Sequence, residues 1–173
     1  MIDVLAAELR ANSCTVTGPV DIDDALAAIV DRVPRGELVA YNDDIPVPGI
    51  APALREHGVE LLAPDDPAWF ERLPDAVVGI TGSRLAVAQP AAIALAAAPG
   101  SPRGTSLLPP AHICVVRVAD VMPTLEDAMA VLATQELPSA LTWIGGPSRT
   151  GDLEMVTTLG VHGPRAVEVV LLG

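Results

Sequence analysis

Aromatic side chains are nearly missing from this sequence. Tyr41, Trp69, Phe70 and Trp143 are all it has, 2% of 173 residues. A surface built on rigid aromatic anchors, the usual hot spots of large protein interfaces, is therefore not expected. Positive charge is also short, with 10 Lys and Arg against 22 Asp and Glu and a net charge of −12. A nucleic-acid binder needs a basic stripe to replace counterions on phosphates, and no such stripe is present. Acidity by itself serves solubility and names no partner.

Long apolar runs are lacking as well, although half of the residues are apolar. The longest candidate, Ala86 to Ala98, is broken by Gln89-Pro90 and closed by Pro99-Gly100, too short to span a bilayer. The opening MIDVLAAELRANS carries Asp3 and Glu8, so it reads as a helix and not as a secretory leader. A cytoplasmic location is the expectation. The two cysteines, Cys14 and Cys114, are far apart and form no CxxC pair. They read as reduced buried thiols, and this chain cannot supply a four-cysteine iron–sulfur cluster. The three histidines are equally scattered, so neither a zinc site nor a chain-borne cofactor is expected.

What is present is an alternation of helix and strand signals along one domain, 1–173. Asp3 to Arg10 reads as a helix, and Cys14 to Thr17 as a short strand. Asp21 can cap a helix running to about Val33, with Leu26, Ile29, Val30 and Val33 at helical spacing. Strands are expected at Glu37 to Tyr41, Val59 to Ala63, Val77 to Thr81, Ala91 to Ala97, His112 to Val118, Leu141 to Ile144 and Ala166 to Leu172. Helices are expected at Pro48 to His57, at Pro67 to Leu73, and after the Thr124 cap with Leu125, Ala128, Met129 and Leu132 buried. Pro99 to Pro110 reads as one long irregular loop. Short strands without alternating polarity, separated by helices, predict an α/β fold with a mostly parallel sheet covered on both faces.

In such sheets ligands gather at the carboxyl ends of strands. Two segments fall there by this reading. One is Gly79-Ile80-Thr81-Gly82-Ser83-Arg84. The other is Leu141 to Ile144 running into Gly145-Gly146-Pro147-Ser148-Arg149-Thr150. Thr150 could cap a short helix from Gly151, whose N-terminus would favour an anion, and Arg149 offers a fork of donors for a carboxylate or phosphate. The alternative is that Asp152 and Glu154 already satisfy that helix end, or pair with Arg149. His162-Gly163-Pro164-Arg165 precedes the last strand; His162 is either a turn-fixing residue or the best general acid/base available. His112 reads as structural. Walker and GxGxxG spacings are both missing, as is a GxSxG elbow.

GITGSRLAVA, SLLPPAHICVV, VMPTLEDAM, GGPSRTGDLE and GVHGPRAVEVVLL resemble, in this order and spacing, the lactate utilization protein C (LutC/YkgG) family, the LUD domain. The resemblance covers about Val77 to the C-terminus; the first 76 residues match in general pattern only. It implies a NagB/RpiA/CoA-transferase-like three-layer α/β/α sandwich. It also implies a part in bacterial oxidation of L-lactate to pyruvate, beside a cysteine-rich partner and an iron–sulfur partner that carry the electrons. One segment departs from the family pattern: Gln89-Pro90-Ala91 stands where a glutamate followed by Thr-Gly is usual. An amide does not titrate, so a possible base or nucleophile is lost there.

The resemblance and these segments together imply a non-redox accessory component of a lactate-oxidising system, with a polar pocket that binds either a small anion, a carboxylate or phosphorylated ligand, or a partner protein. Thr81, Gly82, Ser83, Gly146, Ser148, Arg149, Thr150, His162 and Arg165 are the binding candidates. Ser148, Arg149, Thr150, His162 and Arg165 are expected in one hollow at the sheet's carboxyl edge. The alternative is an enzyme of CoA-transferase-like or folate-cyclo-ligase-like type, with His162, Asp152 or Glu154 as the catalytic group.

Overall fold

The computed structural model describes residues 1–151 and 157–173, so Asp152 and Glu154 lie outside the described residues. Helix α1 (Ile2–Ala11) buries Leu5, Ala6 and Leu9 and leads into strand β1 (Thr15–Val20). Helix α2 (Ile22–Arg32) starts where the Asp21 side chain accepts from the Asp24 N–H, an N-cap that fixes the helix's first turn. Strand β2 (Leu38–Tyr41), helix α3 (Ile50–Glu56) and strand β3 (Glu60–Leu62) follow. Then come helix α4 (Trp69–Arg72) and strand β4 (Val78–Thr81). The hairpin of β5 (Leu85–Gln89) and β6 (Ala92–Ala96) precedes helix α5 (Gly104–Leu107) and strand β7 (Ala111–Arg117). Strand β8 (Val121–Thr124) ends on the Thr124 cap of helix α6 (Leu125–Leu132), and strand β9 (Leu141–Ile144) comes next. The chain closes with β10 (Arg149–Gly151), β11 (Thr157–Leu159) and β12 (Ala166–Leu172).

Six strands form one sheet in the order β1-β12-β7-β4-β2-β3, and every pairing is parallel. Successive residues divide between its two faces, as the pleat requires. Val167, Val169 and Leu171 of β12 and Cys114 and Val116 of β7 join α1 in one core. Val170, Leu172, Ile113 and Val115 join α2 and α3 in the other. Burial on both faces explains why these strands carry no polar alternation.

The first face is not covered by helix alone. Strands β8-β5-β6-β9 make a second, four-stranded mixed sheet, and Ala86, Ala88, Ile93 and Leu95 of its β5 and β6 pack into the same core as α1. The expected α/β architecture holds, with this added sheet sharing one outer layer. Helix α6 lies on the outer side of that sheet through Ala128 and Leu132. Leu125 and Met129, expected in the core, are 41% and 52% exposed. The small sheet meets only one narrow stripe of the helix, and these two residues flank it.

Helix α5 presses directly on β4. A Cβ placed on Gly79 would overlap the Thr105 carbonyl oxygen, so this approach needs glycine. Among the described residues no helix is long and apolar enough to cross a membrane.

Candidate functional site

Because β4 runs up the large sheet and β5 returns along the second, the turn at Gly82-Ser83-Arg84 sits where the two sheets part. A cavity of about 380 Å³ opens there. Asp44 reaches it from beyond β2, Ser83 and Arg84 from beyond β4, Arg117 and Asp120 from the end of β7, and Ser101 and Gln135 from neighbouring loops. The position is the carboxyl edge of the parallel sheet, where side chains from several strand ends converge on open space.

Its electrostatics are mixed. Arg117 Nε donates to Asp120 Oδ2 at 2.6 Å, so that pair is self-neutralised. The Arg84 fork instead grips the neutral amide oxygen of Gln135, at 2.9 Å from Nε and 2.5 Å from Nη2. Arg84 is thereby held in place while keeping its charge. Asp44 Oδ1 accepts from the Gly82 N–H at 2.9 Å. Burial raises the Asp44 carboxyl above the usual carboxylate range; the Gly82 N–H and the Ser101 hydroxyl favour the ionised form and only partly oppose it. The Ser83 hydroxyl is buried with no protein hydrogen-bond partner.

Below this turn runs a chain of donors. Cys114 Sγ donates to the Gly82 carbonyl at 3.6 Å, and Thr81 Oγ1 donates to Cys114 Sγ at 3.8 Å. Thr81 Oγ1 and His112 Nε2 share a hydrogen bond of 2.9 Å, whose direction follows the imidazole tautomer. His112 is 1% exposed, and burial lowers its pKa to about 4, so it is neutral. Burial likewise pushes the Cys114 thiol up to about 12. Thr81 therefore faces inward and holds the turn, Gly82 holds Asp44, and Ser83 is the member of the predicted trio that borders the cavity.

The second predicted group lies elsewhere. Arg165 N–H donates to the Pro110 carbonyl at 2.8 Å, just before β7 begins, which puts the 160–165 loop at the amino edge of the large sheet. The expectation of one hollow at the carboxyl edge is thus corrected. β9 belongs to the second sheet, and its carboxyl end points toward the start of β1. The loops do meet each other there. Ser148 N–H donates to the Pro164 carbonyl and the Gly160 N–H to the Ser148 carbonyl, each at 2.9 Å. Ser148 Oγ accepts from the His162 backbone N–H at 3.3 Å.

Arg149 is committed to α1: its Nη2 donates to the Asn12 carbonyl at 2.8 Å and to Ser13 Oγ at 2.6 Å. It closes a helix C-terminus, where a cation opposes the helix dipole. Gly146 has no room for a side chain, since a Cβ would stand 2.6 Å from the Asn12 carbonyl oxygen. His162 and Arg165 are exposed. Residues 149–151 form a strand paired with 157–159, so the helix expected from Gly151, with Thr150 as its cap, does not begin there. The divergent Gln89-Pro90-Ala91 makes the β5–β6 turn, and the Ala91 carbonyl oxygen would be 3.1 Å from a Cβ on Gly145.

Sequence reasoning missed Asp44, Ser101, Arg117, Asp120 and Gln135. For Asp44 a signal existed: Asn42-Asp43-Asp44 directly follows a predicted parallel strand. Arg117 and Asp120 stand at the end of the predicted strand His112 to Val118, while Ser101 and Gln135 come from loops flanking the unforeseen second sheet. Among the described residues no cluster of three or more His, Cys, Asp or Glu is placed to hold a metal ion.

A parallel sheet with helices on both faces and a polar cavity at its carboxyl edge defines the class as an α/β protein. The crystal structure of a DUF162 family protein from Deinococcus radiodurans shares this fold. The TM-score is 0.71 at 24% identity, over 99% of this chain and 96% of that one. The chain belongs to the LUD domain family, whose model matches residues 2–172. It is 36% identical over 148 residues to the lactate utilization protein C of Deinococcus radiodurans, covering 84% of this chain and 68% of that protein. With the lactate utilization protein C of Macrococcus caseolyticus it shares 31% identity over 157 residues, covering 83% and 64%. The chain thus spans about two thirds of the length of these curated relatives.

Proposed function

We propose that this chain is a component of a bacterial L-lactate utilization system, acting in the cytoplasm as a non-redox accessory protein that binds a small carboxylate. The observation that carries the reading is its 36% identity to a lactate utilization protein C over 84% of its length. The carboxyl-edge cavity supports the ligand class. Arg84 keeps its charge there, and Ser83 and Ser101 line the same walls, a set suited to a carboxylate with an adjacent hydroxyl or keto oxygen such as lactate or pyruvate. The two thiols do not suit redox work, because both are buried and raised well above neutrality. Electrons would then travel in a cysteine-rich partner and an iron–sulfur partner.

Deleting the chain from its host tests the reading. Growth on L-lactate should fail while growth on pyruvate persists, and the purified chain should not reduce a dye with L-lactate. Affinity capture from lactate-grown cells should bring down the two partners. Normal growth of the deletion strain on L-lactate, or dye reduction by the chain alone, would overturn the proposal.

A further inference from the structure

The described residues also enclose a cavity larger than the polar one. It measures about 660 Å³ and lies beside α4 and α5, walled by Trp69, Phe70, Leu73, Leu107 and Leu108, with Arg103 as its one charged lining residue. We propose that this cavity is a second binding site, for a small amphipathic organic anion: an apolar body of about six to ten carbons carrying a carboxylate. Its volume is in the range of small-molecule pockets, which run to about 300–1,000 Å³.

The walls are unusual for this chain. Two of its four aromatic residues are here, with Phe70 standing edge-on to Trp69 at a ring separation of 4.9 Å. Phe70 is 85% exposed and Leu108 59% exposed, so apolar surface is left facing the cavity mouth and not the core. The Trp69 indole N–H is buried without a partner, an unmet donor beside the cavity. Arg103 makes no ion pair among the described residues.

Charge selects the occupant. On a chain of net charge −12, an unpaired arginine at an apolar mouth is a local attraction for an anionic headgroup. A second copy of the chain would bring the same negative charge against itself. The cavity shares only Ala98 of its lining with the polar cavity, and its apolar wall is its own, so this proposal does not depend on the lactate reading.

Isothermal titration of the full chain with acetate, hexanoate, octanoate and octanol tests it. Octanoate should bind saturably, one per chain, with affinity rising roughly three- to fourfold per added methylene from hexanoate upward. Octanol should bind about tenfold more weakly. Phe70→Ala, at an exposed position that leaves the melting temperature unchanged, should weaken octanoate at least about fivefold. Arg103→Gln should erase the preference for octanoate over octanol. No saturable heat with octanoate, or the same affinity in Phe70→Ala, would overturn the site. So would a concentration-dependent dimer that Phe70→Ala dissolves, because it would assign the face to a second copy.

Discussion

Replacing His112 should change how the fold responds to acid, and the size of the change follows from its burial. His112 lies on β7 between β4 and β12, with its one described side-chain hydrogen bond to Thr81, and its pKa falls from 6.5 to about 4 because burial penalises the imidazolium. In the unfolded chain it takes up a proton near pH 6.5; in the folded chain it does not until about pH 4. Between these values the unfolded state binds more protons, so stability falls as pH falls. The full loss across that window is about 3 kcal/mol, from about 1.4 kcal/mol per pH unit. Between pH 7 and pH 5 it amounts to about 2 kcal/mol. Asp44, with its raised carboxyl, works in the opposite direction, gaining stability as pH falls. That contribution is common to wild type and variant and cancels in their difference. His112→Gln carries its own packing cost at every pH but does not titrate. Urea unfolding at pH 7, 6 and 5 should show the wild type's lead over His112→Gln shrinking by about 2 kcal/mol. Parallel curves down to pH 5 would refute the reasoning, because a histidine buried neutral must show this linkage.

Gly79→Ala should cost at least about 1–3 kcal/mol in urea unfolding, because its Cβ meets the backbone oxygen of Thr105 and α5 must move off β4. Arg149→Ala should cost about 1 kcal/mol by removing the bonds that close α1; a loss of lactate-dependent growth without any change in stability would instead give Arg149 a direct role. The thiols of Cys14 and Cys114, raised to about 11 and about 12 by burial, should resist maleimide in the native protein at pH 8 and label fully in urea. Arg84→Gln should impair growth on L-lactate more than Arg165→Gln, since Arg84 borders the carboxyl-edge cavity while Arg165 lies at the amino edge; the reverse order would move the site to the loops around Ser148.

The large sheet was legible because its central strands are buried on both faces and so appear as mostly apolar runs without alternation. Val78–Thr81, Ala111–Arg117 and Ala166–Leu172 all fall within a residue or two of the predicted spans. The second sheet was not. Leu85–Gln89 lies in an alanine-rich stretch whose small side chains suit either period, and Val121–Thr124 is short and contains Pro123. Helix α5, one turn inside a proline-rich loop, left no periodicity to find. The site was half legible for a related reason. That Ser148 meets the His162 loop followed from the motifs, and the Gly82 turn fell where the carboxyl-edge rule put it. Placing Ser148 and Arg149 at the same edge required knowing that β9 pairs with β6 and not with β12. The position of His162 and Arg165 was available without that knowledge, since residues preceding a parallel strand sit at its amino end.

The place of β12 has a consequence for biosynthesis. It is inserted between β1 and β7, and its register sets Thr15 beside Glu168. During translation the first strand must wait, without its neighbour, until Ala166–Leu172 has emerged from the ribosome. For that interval the backbone N–H and C=O edges of β1 and β7 that β12 will pair stand open to water and to other nascent chains. Emergence of β12, more than any earlier event, is what lets this sheet close.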